Sequence, residues 1–265
     1  MNVVVDSASA DLQSRIDAVQ AFISEDVGNL DHLTMPLFGW SMPAWISVHG
    51  LMVTLATVVL LVVFGRLYNR RAVVPTGLTN ALEAMVIFIR DQISIPYLGA
   101  DDGRRYTPYF CSLFFFILAM NLIGLIPGLR AATSNLAVTG ALASVTFFCM
   151  VFVAMYRHGV LGFFKGLAPQ GVPWPILIVL LPIELVGLFI KAGALTIRLF
   201  ANMLAGHMVV FFMLGMMVIF GAWALPAVAM AIMIYLMEIF IAFLQAYIFT
   251  LLSAVFIGQS YHPAH

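Results

Sequence analysis

Two apolar stretches in this 265-residue chain are far too long to be one membrane crossing each. One runs from about Pro173 to Phe220, the other from about Leu225 to Ile257. A helix rises 1.5 Å per residue, so about 40 residues reach roughly 60 Å. The hydrocarbon core of a bilayer is only about 30 Å thick. Either each stretch hides a turn, giving four ordinary spans, or each is one strongly tilted helix. Between Glu184 and His207 there is no Pro and only isolated Gly. That favours two long helices forming an antiparallel hairpin, with its turn at Gly221–Pro226, where Gly and Pro break the pattern.

The rest of the chain agrees with lipid as its solvent. It is 63% hydrophobic and 9% charged, against about 25% charged in soluble domains. No soluble fold of this size buries so much apolar surface. Three further stretches match one crossing each: Ile46–Phe64, Pro108–Gly128 and Leu136–Tyr156. The expected fold is an all-α integral membrane protein with about five membrane helices, the last two being the long, strongly tilted hairpin. An N-terminal amphipathic segment (1–45) precedes the polytopic membrane domain (46–258), and a short tail (259–265) follows it.

Two segments read as amphipathic helices rather than crossings. In the segment up to and including Asp31, which holds half of the chain's acidic residues, the apolar residues Leu12, Ile16, Val19, Phe22 and Ile23 recur at helical spacing. Those acidic residues, with no basic start and apolar core, do not read as a signal peptide. Residues 76–97, between the first two crossings, carry Leu78, Leu82, Met85, Ile89 and Ile93 on one side and Glu83, Arg90 and Asp91 elsewhere. Charge sets the orientation. Arg66, Arg70, Arg71, Arg90, Arg104 and Arg105 flank or lie in that loop, and Arg157 and Lys165 follow the third crossing. Only Arg15 and Arg130 fall on the other side. The basic loops belong in the cytoplasm, with the N-terminus outside and the C-terminus inside.

Several functions are disfavoured. The net charge is zero, which gives no global field for nucleic acid. No CxxC, HExxH or phosphate-cradling glycine loop occurs, so neither a metal, a cofactor nor ATP is expected on this chain. Cys111 and Cys149 sit inside apolar runs and read as unpaired thiols behaving as small hydrophobes. No internal repeat suggests an inverted-repeat transporter.

Ionisable groups in lipid cost about 2.5–3.5 kcal/mol each at the bilayer centre, so they mark function. Here they gather in the hairpin: Glu184, Lys191, Arg198, His207 and Glu238, with Asn202 and Gln245 as neutral companions. Glu184, Lys191 and Arg198 follow one another at seven-residue intervals, which keeps them on one helix face; Asn202, four further, joins it. Glu238 and Gln245 share a face of the other helix by the same spacing. In an antiparallel pair, facing residues have nearly constant index sums. Arg198 with Gln245 gives 443 and His207 with Glu238 gives 445, and half of either falls in the turn at about 222. One hairpin therefore brings both pairs to matching depth. Arg198 and His207 are nine residues apart and lie on opposite sides of a straight helix, so Arg198 looks one way and His207 lines a separate passage. Each of these residues also has a structural reading: Arg198 as a paired cation, His207 as a buried hydrogen-bonded histidine, Lys191 as a snorkelling side chain, and His49 and Asn121 as interior hydrogen-bonding groups.

These residues resemble a known family. Arg198-Leu-Phe-Ala-Asn202-Met-Leu-Ala-Gly206-His207 is similar to the signature of the subunit a family of F-type ATP synthases, and Phe243-Leu244-Gln245-Ala246-Tyr247-Ile248-Phe249 is similar to its last-helix motif. Further matches are Met120-Asn121-Leu122-Ile123-Gly124-Leu125-Ile126-Pro127, Ser134-Asn135-Leu136, and Glu184 fourteen residues before the arginine. The resemblance covers most of the chain from the first crossing onward, and the N-terminal segment matches least. It implies that Arg198 faces the buried carboxylate of a rotating ring of c subunits, with Gln245 as its partner. It also implies a non-catalytic, proton-translocating subunit among the other ATP synthase subunits, including peripheral-stalk b subunits, in a bacterial inner membrane; a mitochondrial inner membrane is the alternative. Many bacterial members carry Glu where His207 stands and His where Glu238 stands; the exchange here matches mitochondrial members and keeps one acid and one imidazole together. Lys191-Ala192-Gly193 departs from the Lys-Pro of many bacterial members.

On this reading the ion is H⁺, passed inward by His207 and Glu238 along a route where Asn121, Asn135 and Asn202 hold waters, and released past Arg198 by way of Glu184. Two readings from other classes stay open: a secondary transporter binding an anionic substrate at Arg198, and a purely structural membrane anchor.

Overall fold

The computed structural model describes residues 13–21, 48–67, 77–126, 131–166, 174–220 and 225–261. All regular structure among them is helical. A short helix α1 (residues 13–21) is followed by α2 (Val48–Val62), which continues into a π-helical turn at Val63–Leu67. Next come α3 (Leu78–Ile89), a second π turn at Arg90–Ser94, and α4 (Ile95–Leu98). The longer helices are α5 (Ala100–Gly124), α6 (Leu136–Gly166), α7 (Trp174–Phe220) and α8 (Leu225–Tyr261), with a 3₁₀ turn at Ala132–Ser134 before α6.

Four of these helices, α2, α5, α7 and α8, are long and apolar enough to cross a bilayer, and α6 adds a shorter apolar run at Leu136–Phe152. The two long stretches are continuous helices of 47 and 37 residues, about 70 and 55 Å long. Helices of that length lie within a ~30 Å core only if strongly inclined. Pro182 is accommodated inside α7 without a break. Several hydroxyls of the long helices are satisfied within their own helix, which suits lipid: Thr196 donates to Ala192 O, Thr250 to Ala246 O and Ser253 to Phe249 O.

The second crossing begins eight residues earlier than its apolar pattern suggests, at Ala100 rather than Pro108. Asp101, Asp102, Arg104 and Arg105 form its polar first turns, and acids at a helix start suit the macrodipole. The helix can start there because Gly99 adopts φ 85°, a left-handed turn that only glycine takes cheaply. The expected inter-span amphipathic helix is present as α3, the π turn and α4, with Leu82, Ile89 and Ile93 buried and Glu83 partly exposed. On its surface Arg90 donates to Asp91 at 2.7 Å and holds that carboxyl below the usual range. Gly159, at φ 71° and ψ 169°, interrupts α6 just past the third crossing.

Helix α5 is the centre of the fold. It packs on α2, α4 and α8, and 61% of its apolar window is buried. Phe110, Ile117 and Met120 of α5 meet Met52 of α2 and Phe249 and Ile257 of α8 in one apolar core. The α7 window is only 11% buried, although α7 packs on both α6 and α8. Most of the α7 surface therefore faces outward. In α1 the less exposed residues are Ile16 and Val19, and Val19 packs on Gly215 near the end of α7. The other apolar residues of that N-terminal segment, the turn residues 221–224, the tail from 262, and Arg70, Arg71 and Arg130 lie outside the described residues.

Candidate functional site

Helices α7 and α8 run antiparallel with the register that their sequence implies. The Glu238 carboxyl lies directly against Gly206, where any added methyl group would overlap it. Farther along, the Lys191 ammonium stands 5.5 Å from the Phe256 ring centre. The index sums are 206 + 238 = 444 and 191 + 256 = 447, which centre the hairpin at residues 222–224, between the two helices. Leu225 and Pro226 are the first residues of α8, a position where proline's missing N–H costs nothing.

Around Glu238 the structure assembles groups from three parts of the chain. Glu238 is buried, and its Oε1 has no hydrogen-bond partner among the described residues. His207 follows Gly206 directly; it is half-buried, with its ring 5.9 Å from that of Phe211. Ala242, one turn along α8, and Met203 of α7 pack with Leu125 and Ala131 in a small buried cluster. Asn121, at the end of α5, is 2% exposed; it accepts from Thr133 Oγ1 at 3.0 Å and donates a long 3.5 Å bond to the Ala242 carbonyl. Tyr235, one turn from Glu238, donates its hydroxyl to the Leu125 carbonyl. Gly124 lets this junction close: a Cβ there would sit 2.6 Å from Ala131 Cβ and 2.9 Å from Met203 Cε.

Sequence reasoning anticipated Asn121 but not Thr133, Tyr235 or Gly206. The last was visible only as the small residue next to His207. The other two act across contacts about 12 and 110 residues distant in the chain.

Arg198 has a different setting. It is exposed on the outward face of α7, with apolar Ile190 (64% exposed) and Ile197 (61%) beside it. Among the described residues it makes no ion pair. Leu195 and Leu199 turn inward on one flank and anchor this part of the helix. Gln245 is buried at matching depth on α8, and its Nε2 has no hydrogen-bond partner among the described residues. Asn202 is half-buried and Glu184 exposed. Lys191 is held over Phe256 between the two helices, so the seven-residue series Glu184, Lys191, Arg198 does not present three equivalent charges.

Asn135 has a structural task. Its Oδ1 accepts from the Ala137 N–H at 2.7 Å, which caps the start of α6. His49 of α2 is buried. Cys111 and Cys149 are free thiols. Among the described residues no group of three His, Cys, Asp or Glu side chains is placed to hold a metal ion.

The arrangement separates two kinds of group. A fixed cation stands on the exposed face of α7, and an acid is recessed between α7 and α8 nearer the turn, against the glycine that precedes His207. The first suits interaction with a partner's charge, and the second suits proton exchange.

Comparison with known proteins bears on this site. A family model described as ATP synthase A chain matches residues 50–258. ATP synthase subunit a of Myxococcus xanthus is 44% identical over 227 residues, covering 83% of this chain and 74% of the relative. ATP synthase subunit a of Anaeromyxobacter sp. is 39% identical over 257 residues, covering 92% and 63% respectively. That of Chlorobium phaeobacteroides is 41% identical over 229 residues, covering 83% and 67%. The chain spans between half and three quarters of the length of the relatives it matches.

Proposed function

The chain belongs to the ATP synthase A chain family, and from that premise we propose that it is the stationary ion-conducting partner of a rotating ring in a proton-driven ATP synthase. The observation that carries this reading is the placement of Arg198. It is a permanent charge on an outward, largely apolar helix face, and it forms no ion pair among the described residues.

A bare carboxylate cannot cross lipid, because its charged form is heavily penalised there. A neutral, protonated carboxyl on a ring of c subunits can. Protons entering from the outer side are handed inward by His207 and Glu238, whose carboxyl lies against Gly206. Histidine titrates near physiological pH, at an ordinary value of about 6.5, which suits a relay. A ring carboxyl protonated there rotates through lipid until it meets Arg198 from the other side. The guanidinium stays charged and stabilises the ionised carboxylate, so the proton leaves toward the cytoplasm along the Glu184 side of α7. Arg198 also repels protons attempting a direct passage between the two routes. Gln245, with its buried amide at the same depth, positions the passing carboxylate. Each charge crossing 100 mV releases about 2.3 kcal/mol; several crossings supply one ATP.

In this reading the N-terminus lies outside and the tail in the cytoplasm of a bacterial cell membrane, with the peripheral stalk b subunits holding the chain against the ring. The test is Arg198→Ala in the assembled complex, reconstituted in vesicles. Coupled ATP synthesis falls to background while passive proton conductance rises. Retention of coupled synthesis in that variant overturns the proposal.

A further inference from the structure

Helices α2, α5 and α6, none of them part of the long hairpin, enclose an open apolar groove of about 630 Å³. Its walls include Thr57, Leu61 and Gly65 of α2, Ser112 and Phe116 of α5, and Leu142 of α6. Leu61 is 68% exposed, so the groove opens laterally toward the membrane. Two of the polar wall residues have spent their hydroxyls inside their own helices: Thr57 donates to Val53 O and Ser112 to Tyr109 O. The surface left is hydrocarbon-like.

The apolar lining and the lateral opening suit extended acyl chains.

Charge at one end of the groove supplies the rest of the ligand. Arg66 adjoins the wall residue Gly65, and Arg105 lies one turn before the wall residue Pro108 on α5. Both are exposed, and neither forms an ion pair among the described residues. Arg104, by contrast, interacts with Asp91. Phe64 and Phe115, both wall residues, have ring centres 5.0 Å apart and fix α2 to α5. Basic pockets between membrane helices on the cytoplasmic side recognise anionic headgroups.

We propose that this groove binds an anionic phospholipid, its acyl chain along α2 and α5 and its phosphate between Arg66 and Arg105. Bound there, the lipid fills the gap between the first and third crossings.

The test uses the purified complex, delipidated and then offered phosphatidylglycerol and phosphatidylcholine in equal amounts, with retained lipid measured by native mass spectrometry. The wild type retains phosphatidylglycerol preferentially. Arg66→Gln and Arg105→Gln each lower that preference about fivefold. Gly65→Leu, whose side chain enters open space because a Cβ there meets nothing within 4 Å, loses both lipids. A photoreactive benzoylphenylalanine at Leu61 in the otherwise unaltered complex labels lipid. Retention without headgroup preference, retention unchanged in all three variants, or Leu61 labelling of a neighbouring polypeptide alone overturns the proposal.

Discussion

Gly206 shows how tightly a single position controls the recessed acid. Its missing side chain is the space that Glu238 occupies. Gly206→Ala therefore pushes the carboxyl out of place, at a cost of about 1–3 kcal/mol for overpacking. In reconstituted vesicles this variant is expected to slow proton uptake as severely as Glu238→Gln, while the complex still assembles. An unchanged uptake rate shows that Glu238 does not work from this position. His207→Ala is expected to slow uptake as well, and uptake unaltered in both His207→Ala and Glu238→Ala removes the outer route assigned to them. The sequence exposed Arg198, His207 and Glu238 because a charged or titratable group in a 63% hydrophobic chain stands out on cost alone. It did not expose Tyr235 or Thr133. Hydroxyls are unremarkable in membrane helices, and their partners, Leu125 and Asn121, are set by packing rather than spacing.

At the scale of the element, the start of α6 separates two roles for Asn135. As a cap, it satisfies the Ala137 N–H. Asn135→Ala then costs about 1 kcal/mol and lowers thermal stability, whereas Asn135→Asp restores it. Proton flux through the assembled complex should be the same in all three proteins. A flux loss in Asn135→Asp at full stability assigns the residue to conduction instead. Lys191 makes a similar point within the hairpin. Its ammonium lies over Phe256, so Lys191→Met loses about 0.5–2 kcal/mol of α7–α8 attachment, read as a lower unfolding temperature. The seven-residue spacing of Glu184, Lys191 and Arg198 was legible as a shared face, but the different surroundings of the three were not. Spacing fixes direction from the helix axis, and only the neighbours α6 and α8 decide which part of that face is covered. The early start of α5 was hidden for the converse reason. A hydropathy pattern reports where lipid begins, whereas the helix begins where Gly99 turns the chain.

For the whole molecule, the long hairpin was the most legible feature, because its length excess and its matched index sums are both global properties of the sequence. Its packing partner was less so: that α5 would be the buried centre and α7 the exposed edge follows from contacts between crossings. Five crossings would place the termini on opposite sides of the membrane. A tag at the C-terminus should be reached by protease only from the cytoplasmic face, and one at the N-terminus only from outside; both tags cleaved from one side would refute five crossings. The outward face of α7 places the largest demand on the account, because a face this apolar with one fixed cation needs a partner that carries the opposite charge past it. The most direct measurement is photo-cross-linking from Ile197, the exposed neighbour of Arg198, in the intact complex, with buried Leu199 as the inward-facing control. The account predicts that Ile197 labels a small membrane subunit close to its buried carboxylate while Leu199 labels only its own chain. Labelling of lipid alone from Ile197 would contradict it.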